Sequence, residues 1–146
     1  MAEIRFFFEG IKKISLAEIS LRRFLKEMTK EEGRDLNELN YIFCDDERLL
    51  QINKEFLKRD YYTDVISFDL SDDDKIKGDI YISEERIRDN AGIYSQNIER
   101  ERDRVIFHGF LHLIGYRDQT EEEKREMSRK ENEYIAAYVS RGTKNL

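Results

Sequence analysis

The two histidines of this 146-residue chain stand four positions apart, in His108-Gly109-Phe110-Leu111-His112. Residues at i and i+4 share one face of a helix, with Cβ atoms about 5–6 Å apart. Two imidazoles so placed can reach one metal ion at N–metal distances of about 2.0–2.1 Å. Gly115 follows seven positions after His108. A glycine there lets the chain leave the helix sharply and fold back over the same face. Asp118, three residues further on, then offers a carboxylate oxygen as third ligand. Three protein ligands leave an ion one open position, as in a catalytic rather than a structural centre. The bland alternative is a pair of histidines satisfied inside a core. It accounts less well for both histidines preceding a turn and a carboxylate.

Zinc is the first expectation for such a set. Two neutral imidazoles and one carboxylate leave the centre one unit less positive than three imidazoles would, and carboxylate oxygen is a harder ligand. Manganese or another divalent ion is therefore also expected to bind. Zinc proteases with a His-Glu-x-x-His helix place a general base directly after the first histidine. Here that position is Gly109, so the spacing speaks for a metal and Gly109 against peptide hydrolysis by that route.

The histidines lie in an apolar stretch, Val105 to Ile114, that reads as a buried helix. Asn97 is a candidate cap for it, with the helix running from Ile98 to about Ile114. Around it the pattern gives strands at Glu3–Phe8, Leu36–Cys44, Val65–Phe68 and Gly78–Ile82, the last two forming a hairpin around the acidic stretch 69–77. Further helices are expected after Ser15, with Leu16, Ile19, Phe24, Leu25 and Met28 on the apolar face and Gly33 at the end. Others follow Asp45, running to Leu57 with Leu49, Leu50, Ile52, Asn53 and Phe56 on one face, and Ser83, running to about Ala91. The last follows Thr120 and runs to about Tyr138, leaving the tail frayed. Ser15 with Glu18, and Thr120 with Glu123, have the spacing of capping boxes. The order β-α-β-α-β-β-α-α-α implies an α+β fold: one mixed sheet of about four strands covered by about five helices, in a single domain over residues 1–146.

Charged residues make up 40% of the chain, and 26 Lys and Arg face 32 Asp and Glu for a net charge of −6. A general electrostatic nucleic-acid binder would be basic, so the global charge speaks mildly against nucleic acid and any such contact must be local. Residues 48–59 hold four basic residues against one Glu, and residues 1–30 hold seven against four. Arg22, Arg23, Lys54, Lys58 and Arg59 could therefore form a basic side, the equally good alternative being ordinary solvated helix faces. Arg100, Arg102 and Arg104 alternate with acidic residues and read as a salt-bridged exposed turn. No apolar run approaches the roughly 18 residues of a spanning helix, and the start, MAEIRFFFEG, is too short for a signal-peptide core. With the single Cys44 expected in the core and no disulfide possible within the chain, the cytoplasm is the expected compartment.

Taken together, HGFLHLIGYRD (residues 108–118), TDVISF (63–68) and Gly78-Asp79-Ile80 followed by Ile82-Ser83 resemble the signature blocks of the YbeY family, bacterial single-strand-specific metallo-endoribonucleases of rRNA maturation. Asn53 and Asp60 sit at matching spacings, and the resemblance runs from about residue 36 to 135. It implies a divalent-metal hydrolase acting on single-stranded RNA, including the 3′ end of 16S rRNA, with a role in ribosome quality control. It also implies the small ribosomal subunit or its associated proteins as partners. The family's third histidine ligand falls on Asp118, a proline on Tyr62, and an arginine near the family's active site on Leu57. Lys58 or Arg59 is expected to take over substrate contact from a neighbouring position. Asp64 and Asp79 are candidates for a general base or for orienting a ligand, Asp79 through a histidine Nδ1–H. Their bland alternatives are a strand cap and a turn. A bound ion would polarise a phosphodiester oxygen or lower the pKa of a water towards about 7. Two competing functions remain: a non-catalytic RNA- or ribosome-associated factor with a structural metal, and a metallohydrolase of another substrate, peptide included.

Overall fold

The computed structural model describes residues 2–144. The elements are β1 (Glu3–Phe8), α1 (Glu18–Glu31), β2 (Asp35–Cys44), α2 (Asp46–Leu57), β3 (Val65–Asp69), β4 (Lys75–Ser83), α3 (Glu84–Ile93), α4 (Ile98–Leu113) and α5 (Glu121–Lys144). The strands form one sheet in the order β1-β2-β4-β3. β2 runs parallel to β1 and to β4, and β3 runs antiparallel to β4. This is the α+β class with a mixed four-stranded sheet that the pattern predicts.

Side chains alternate across a strand, so the two faces of the sheet are distinct. Leu39, Tyr41 and Phe43 of β2 and Ile76, Ile80 and Ile82 of β4 build the main core with buried residues of α1, α4 and α5. The opposite face is smaller: Cys44 and Ile66 pack with Leu49 and Ile52 of α2. Cys44 is buried, and burial, with nearby carboxylates, pushes its thiol up to about 12, so it is an inert core residue.

Most helix starts follow from capping chemistry. Asp45 accepts from the Arg48 amide, Ser83 from that of Arg86, and Asn97 from those of Glu99 and Arg100. Thr120 and Glu123 form a reciprocal box, the Glu123 amide donating to Thr120 Oγ1 at 3.0 Å and the Thr120 amide to Glu123 Oε1 at 2.9 Å.

Several expectations are corrected. Ser15 caps nothing; the first helix starts at Glu18 behind Ala17, which makes no side-chain cap. Glu18 instead accepts from Arg22 at 2.8 Å. The buried stripe begins at Leu21, and Ile19, about 200° away round the helix, is 72% exposed. Phe56 is exposed as well. β4 starts three residues before Gly78, because Ile76 is buried and pairs with Leu36 across the sheet. α3 continues to Ile93, and α5 to Lys144 rather than fraying after Tyr138. Asn145 and Leu146, the end of the tail expected to fray, lie outside the described residues. The basic side also divides: α1 packs on the main-core face and α2 on the other. Nor do the arginines of α4 form an exposed turn. Arg100 pairs with Asp103, Arg104 with Glu131, and Arg102 is buried in a bidentate pair with Glu84 of α3, at 3.0 and 2.6 Å.

Candidate metal centre

α4 carries both histidines, and it lies unusually close to the sheet. A Cβ on Gly109 would stand 2.8 Å from Ile80 Cγ2 and 3.0 Å from Val65 Cγ2. Ser67 Oγ donates to the Gly109 carbonyl at 2.8 Å. Val65, Ser67 and Ile80 therefore form the bed for α4, which gives the two upstream sequence blocks a physical role. The position of the protease general base faces the sheet here and has no room for a side chain.

The helix ends in a Schellman motif. The Gly115 amide donates to the His112 carbonyl at 3.1 Å and the Tyr116 amide to the Leu111 carbonyl at 3.0 Å. Gly115 has φ +110°, a conformation that side chains other than hydrogen rarely adopt. Tyr116 then hydrogen-bonds Glu32 at the end of α1, at 2.5 Å. The chain so anchored returns Asp118 to the helix face.

Asp118 Oδ2 lies 3.1 Å from His112 Nε2 and 3.5 Å from His108 Nε2. Ligand atoms of all three residues fall within 4.8 Å of one another. A tetrahedral ion with bonds of about 2.0–2.1 Å separates its ligands by about 3.3 Å, so the two distances to Asp118 bracket the expected edge. The three side chains are between one-fifth and one-third exposed, which leaves a side open to solvent. The cluster fits a divalent metal ion.

Glu131 of α5 is the residue the sequence reading missed. It is buried, its Oε2 sits 2.5 Å from His108 Nδ1, and its Oε1 accepts from Arg104 at 3.0 Å. A carboxylate on the far nitrogen fixes the ring and turns Nε2 towards the centre. Burial disfavours the charged ring, but the Glu131 hydrogen bond, with Glu131, Asp64 and Asp118 as nearby charges, outweighs it and raises the His108 pKa. Glu131 stands four residues after Met127 and three before Tyr134, both buried. A lone carboxylate on that apolar stripe was the available signal. Glu131→Gln keeps size and shape but removes the charge, so it is expected to weaken metal affinity about 10–100-fold and, because the charge partner of Arg104 and His108 goes, also to lower metal-free melting. Competition with a chelating dye reads the affinity.

The remaining candidates separate. Asp64 lines a cleft with His108, Asp118 and Glu131, and burial raises its pKa against the pull of His108. Asp79 is not at the centre. It accepts from Asn40 Nδ2 at 3.1 Å and alternates with Gly78 and Ile80, which face α4, so its side chain lies on the α2 face of the sheet. The Nδ1 of His108, one of its two suggested partners, is held by Glu131 instead. Arg59 lines a second cleft with His112, whereas Lys58 is exposed in a left-handed conformation at the end of α2.

Comparison with known proteins bears on the same residues. A family model described as Endoribonuclease YbeY matches residues 9–139. The chain belongs to the YbeY family. The match reaches further towards the N-terminus than the motif blocks, into the loop before α1. An Endoribonuclease YbeY of Cytophaga hutchinsonii is 46% identical over 89% of this chain and 92% of its own length. One of Christiangramia forsetii is 41% identical, covering 93% and 94%. A solution structure from Thermotoga maritima superposes with a TM-score of 0.66 at 28% identity, covering 98% of this chain and 93% of that one. No helix among the described residues is long and apolar enough to cross a membrane.

Proposed function

We propose that this YbeY-family chain is a divalent-metal-dependent endoribonuclease of single-stranded RNA, acting as one hydrolase domain over residues 1–146. Its place is in rRNA maturation, at the 3′ end of 16S rRNA, and in ribosome quality control in the cytoplasm, with the small ribosomal subunit or its associated proteins as partners. The observation that carries this reading is the open side of His108, His112 and Asp118, flanked by two clefts. Zinc is the ion that suits two imidazoles and a carboxylate, with manganese a second.

When bound, the ion supplies Lewis-acid polarisation of a phosphodiester and acidifies a water. The chain's own residues do the rest. His108, His112 and Asp118 hold the ion, and Glu131 orients His108. Asp64, on the wall shared with His108 and Asp118, is the carboxylate positioned to accept and return a proton. Arg59, on the His112 side, binds a phosphate of the substrate, and Lys58 adds longer-range attraction. Asp79 takes no part.

Peptide hydrolysis lacks support because Gly109 provides no base and no space for one. The test is to incubate metal-loaded protein and its His112→Ala variant with single-stranded RNA, duplex RNA and casein. Cleavage of the single strand alone, lost in the variant, is expected. A metal-dependent fold that cleaves none of the three would replace this reading by that of a non-catalytic RNA-associated factor.

A further inference from the structure

The cleft on the His112 side has a volume of about 320 Å³ and is walled by Leu57 at the end of α2, by the loop that follows, carrying Arg59 and Tyr61, and by β3. That loop is built rather than slack. Asn53, itself buried, accepts from the Arg59 amide at 3.1 Å through its backbone carbonyl and donates from Nδ2 to the Tyr61 carbonyl at 2.9 Å. The backbone on either side of Asp60 is thus pinned to α2. The side chains on this wall are nonetheless open: Tyr61 is 52% and Leu57, at the end of α2, 37% exposed. Arg59 donates to the Tyr61 hydroxyl at 3.3 Å. Among the described residues neither Arg59 nor Lys58 has a carboxylate partner, whereas Lys54 pairs with Asp60.

An exposed aromatic ring, held by its backbone beside an unneutralised guanidinium and lining the same cleft as His112, matches the recognition chemistry of single-stranded nucleic acid. Bases stack on aromatic faces while cations track the phosphates. The neighbouring tyrosine does something else: the Tyr62 hydroxyl donates to Glu47 at 2.6 Å and its ring lies under Arg86. Tyr62 is engaged with the helices, and Tyr61 is the ring left for a ligand.

We propose that Tyr61 is a nucleobase-stacking platform, with Arg59 at its edge, that receives an unpaired base next to the phosphodiester held at the metal centre. This rests on the ribonuclease reading and deepens it. In a duplex both faces of each base are already stacked, so no base is free to lie on Tyr61. The platform thereby becomes a source of preference for single strands.

The test measures KM and kcat for a single-stranded RNA with wild type, Tyr61→Phe and Tyr61→Ala, all metal-loaded. A second substrate has the same sequence with abasic residues at and beside the cleavage site. Loss of one base–aromatic stack corresponds to roughly a 5- to 150-fold weaker interaction. Tyr61→Ala is expected to raise KM within that range while melting and metal content stay unchanged, since the ring is half exposed. Tyr61→Phe keeps the ring and is expected to stay near wild type. The abasic substrate is expected to be poor for wild type and no worse for Tyr61→Ala. If wild type cleaves RNA but Tyr61→Ala has an unchanged KM, or Tyr61→Phe is as impaired as Tyr61→Ala, the platform is overturned and the ribonuclease reading stands. If wild type cleaves neither RNA with zinc or manganese, the ribonuclease reading fails and the platform with it.

Discussion

Asp118→Ala is expected to lose the divalent ion and, with it, RNA cleavage, while the fold survives. The loss in affinity should exceed the roughly 10–100-fold that removal of an outer partner of a metal ligand costs, because an entire ligand goes. Stability without metal should change by no more than about 0.5 kcal/mol, since Asp118 sits partly exposed on a turn held by Gly115 and Tyr116 rather than by its own side chain. Metal content after dialysis, a melting curve and an RNA cleavage assay separate the two effects. Asp118→His is the sharper variant. It gives a three-imidazole set, makes the centre as a whole more positive by one unit, and replaces hard oxygen by nitrogen. It is expected to keep zinc and to bind manganese more weakly relative to zinc than wild type does. An Asp118→Ala protein that retains a full equivalent of zinc through dialysis would remove Asp118 from the ligand set.

Much of this centre was legible in the sequence because its geometry is local. His108 and His112 share a face by helical periodicity, Gly115 stops the helix by backbone sterics, and Asp118 is within reach of so short a turn. The caps at Asp45, Ser83, Asn97 and Thr120 are local in the same sense, and all four form. The cap at Ser15 does not, although its spacing is equally good. Ile14 is buried ahead of it, residues 12–17 take no regular structure, and the helix opens only at Glu18.

What escaped the sequence reading depends on contacts distant along the chain. Glu131 reaches His108 from 23 positions away, and spacing alone cannot pair a carboxylate on one helix with an imidazole on another. Asp79 illustrates the converse. Its motif block is real, but the block's contribution is Gly78 and Ile80 on the face against α4, and the pleat turns Asp79 away. A slip of one residue along a strand reverses the face, so a strand motif identifies a surface before it identifies a side chain. The arginines of α4 mislead for a related reason. Their alternation with acids suggests local pairing, yet Arg104 serves Glu131 and Arg102 serves Glu84.

That last pair carries the largest expected effect on stability. Glu84 and Arg102 are each about 6% exposed, and the guanidinium spans both carboxylate oxygens. Arg88 also pairs with Glu84, from the solvent side. Removing Arg102 leaves the buried Glu84 with only the more exposed Arg88 as a charge partner, and breaking a buried pair costs about 3–5 kcal/mol. Arg102→Ala should therefore lower the melting temperature by roughly 6–20 °C for a chain of this size. Replacing both residues by apolar side chains of similar volume removes the desolvation cost with the attraction, so Glu84→Met with Arg102→Met is expected to recover most of the loss. Arg102 lies six residues before His108, about 9 Å along the helix axis, and touches nothing at the centre. Below its melting transition, Arg102→Ala should thus bind metal and cleave RNA as wild type does. A double variant no more stable than Arg102→Ala would show that the pair fixes the geometry between α3 and α4 rather than merely neutralising its own charges. A wild-type melting temperature in Arg102→Ala would show that water already solvates Glu84.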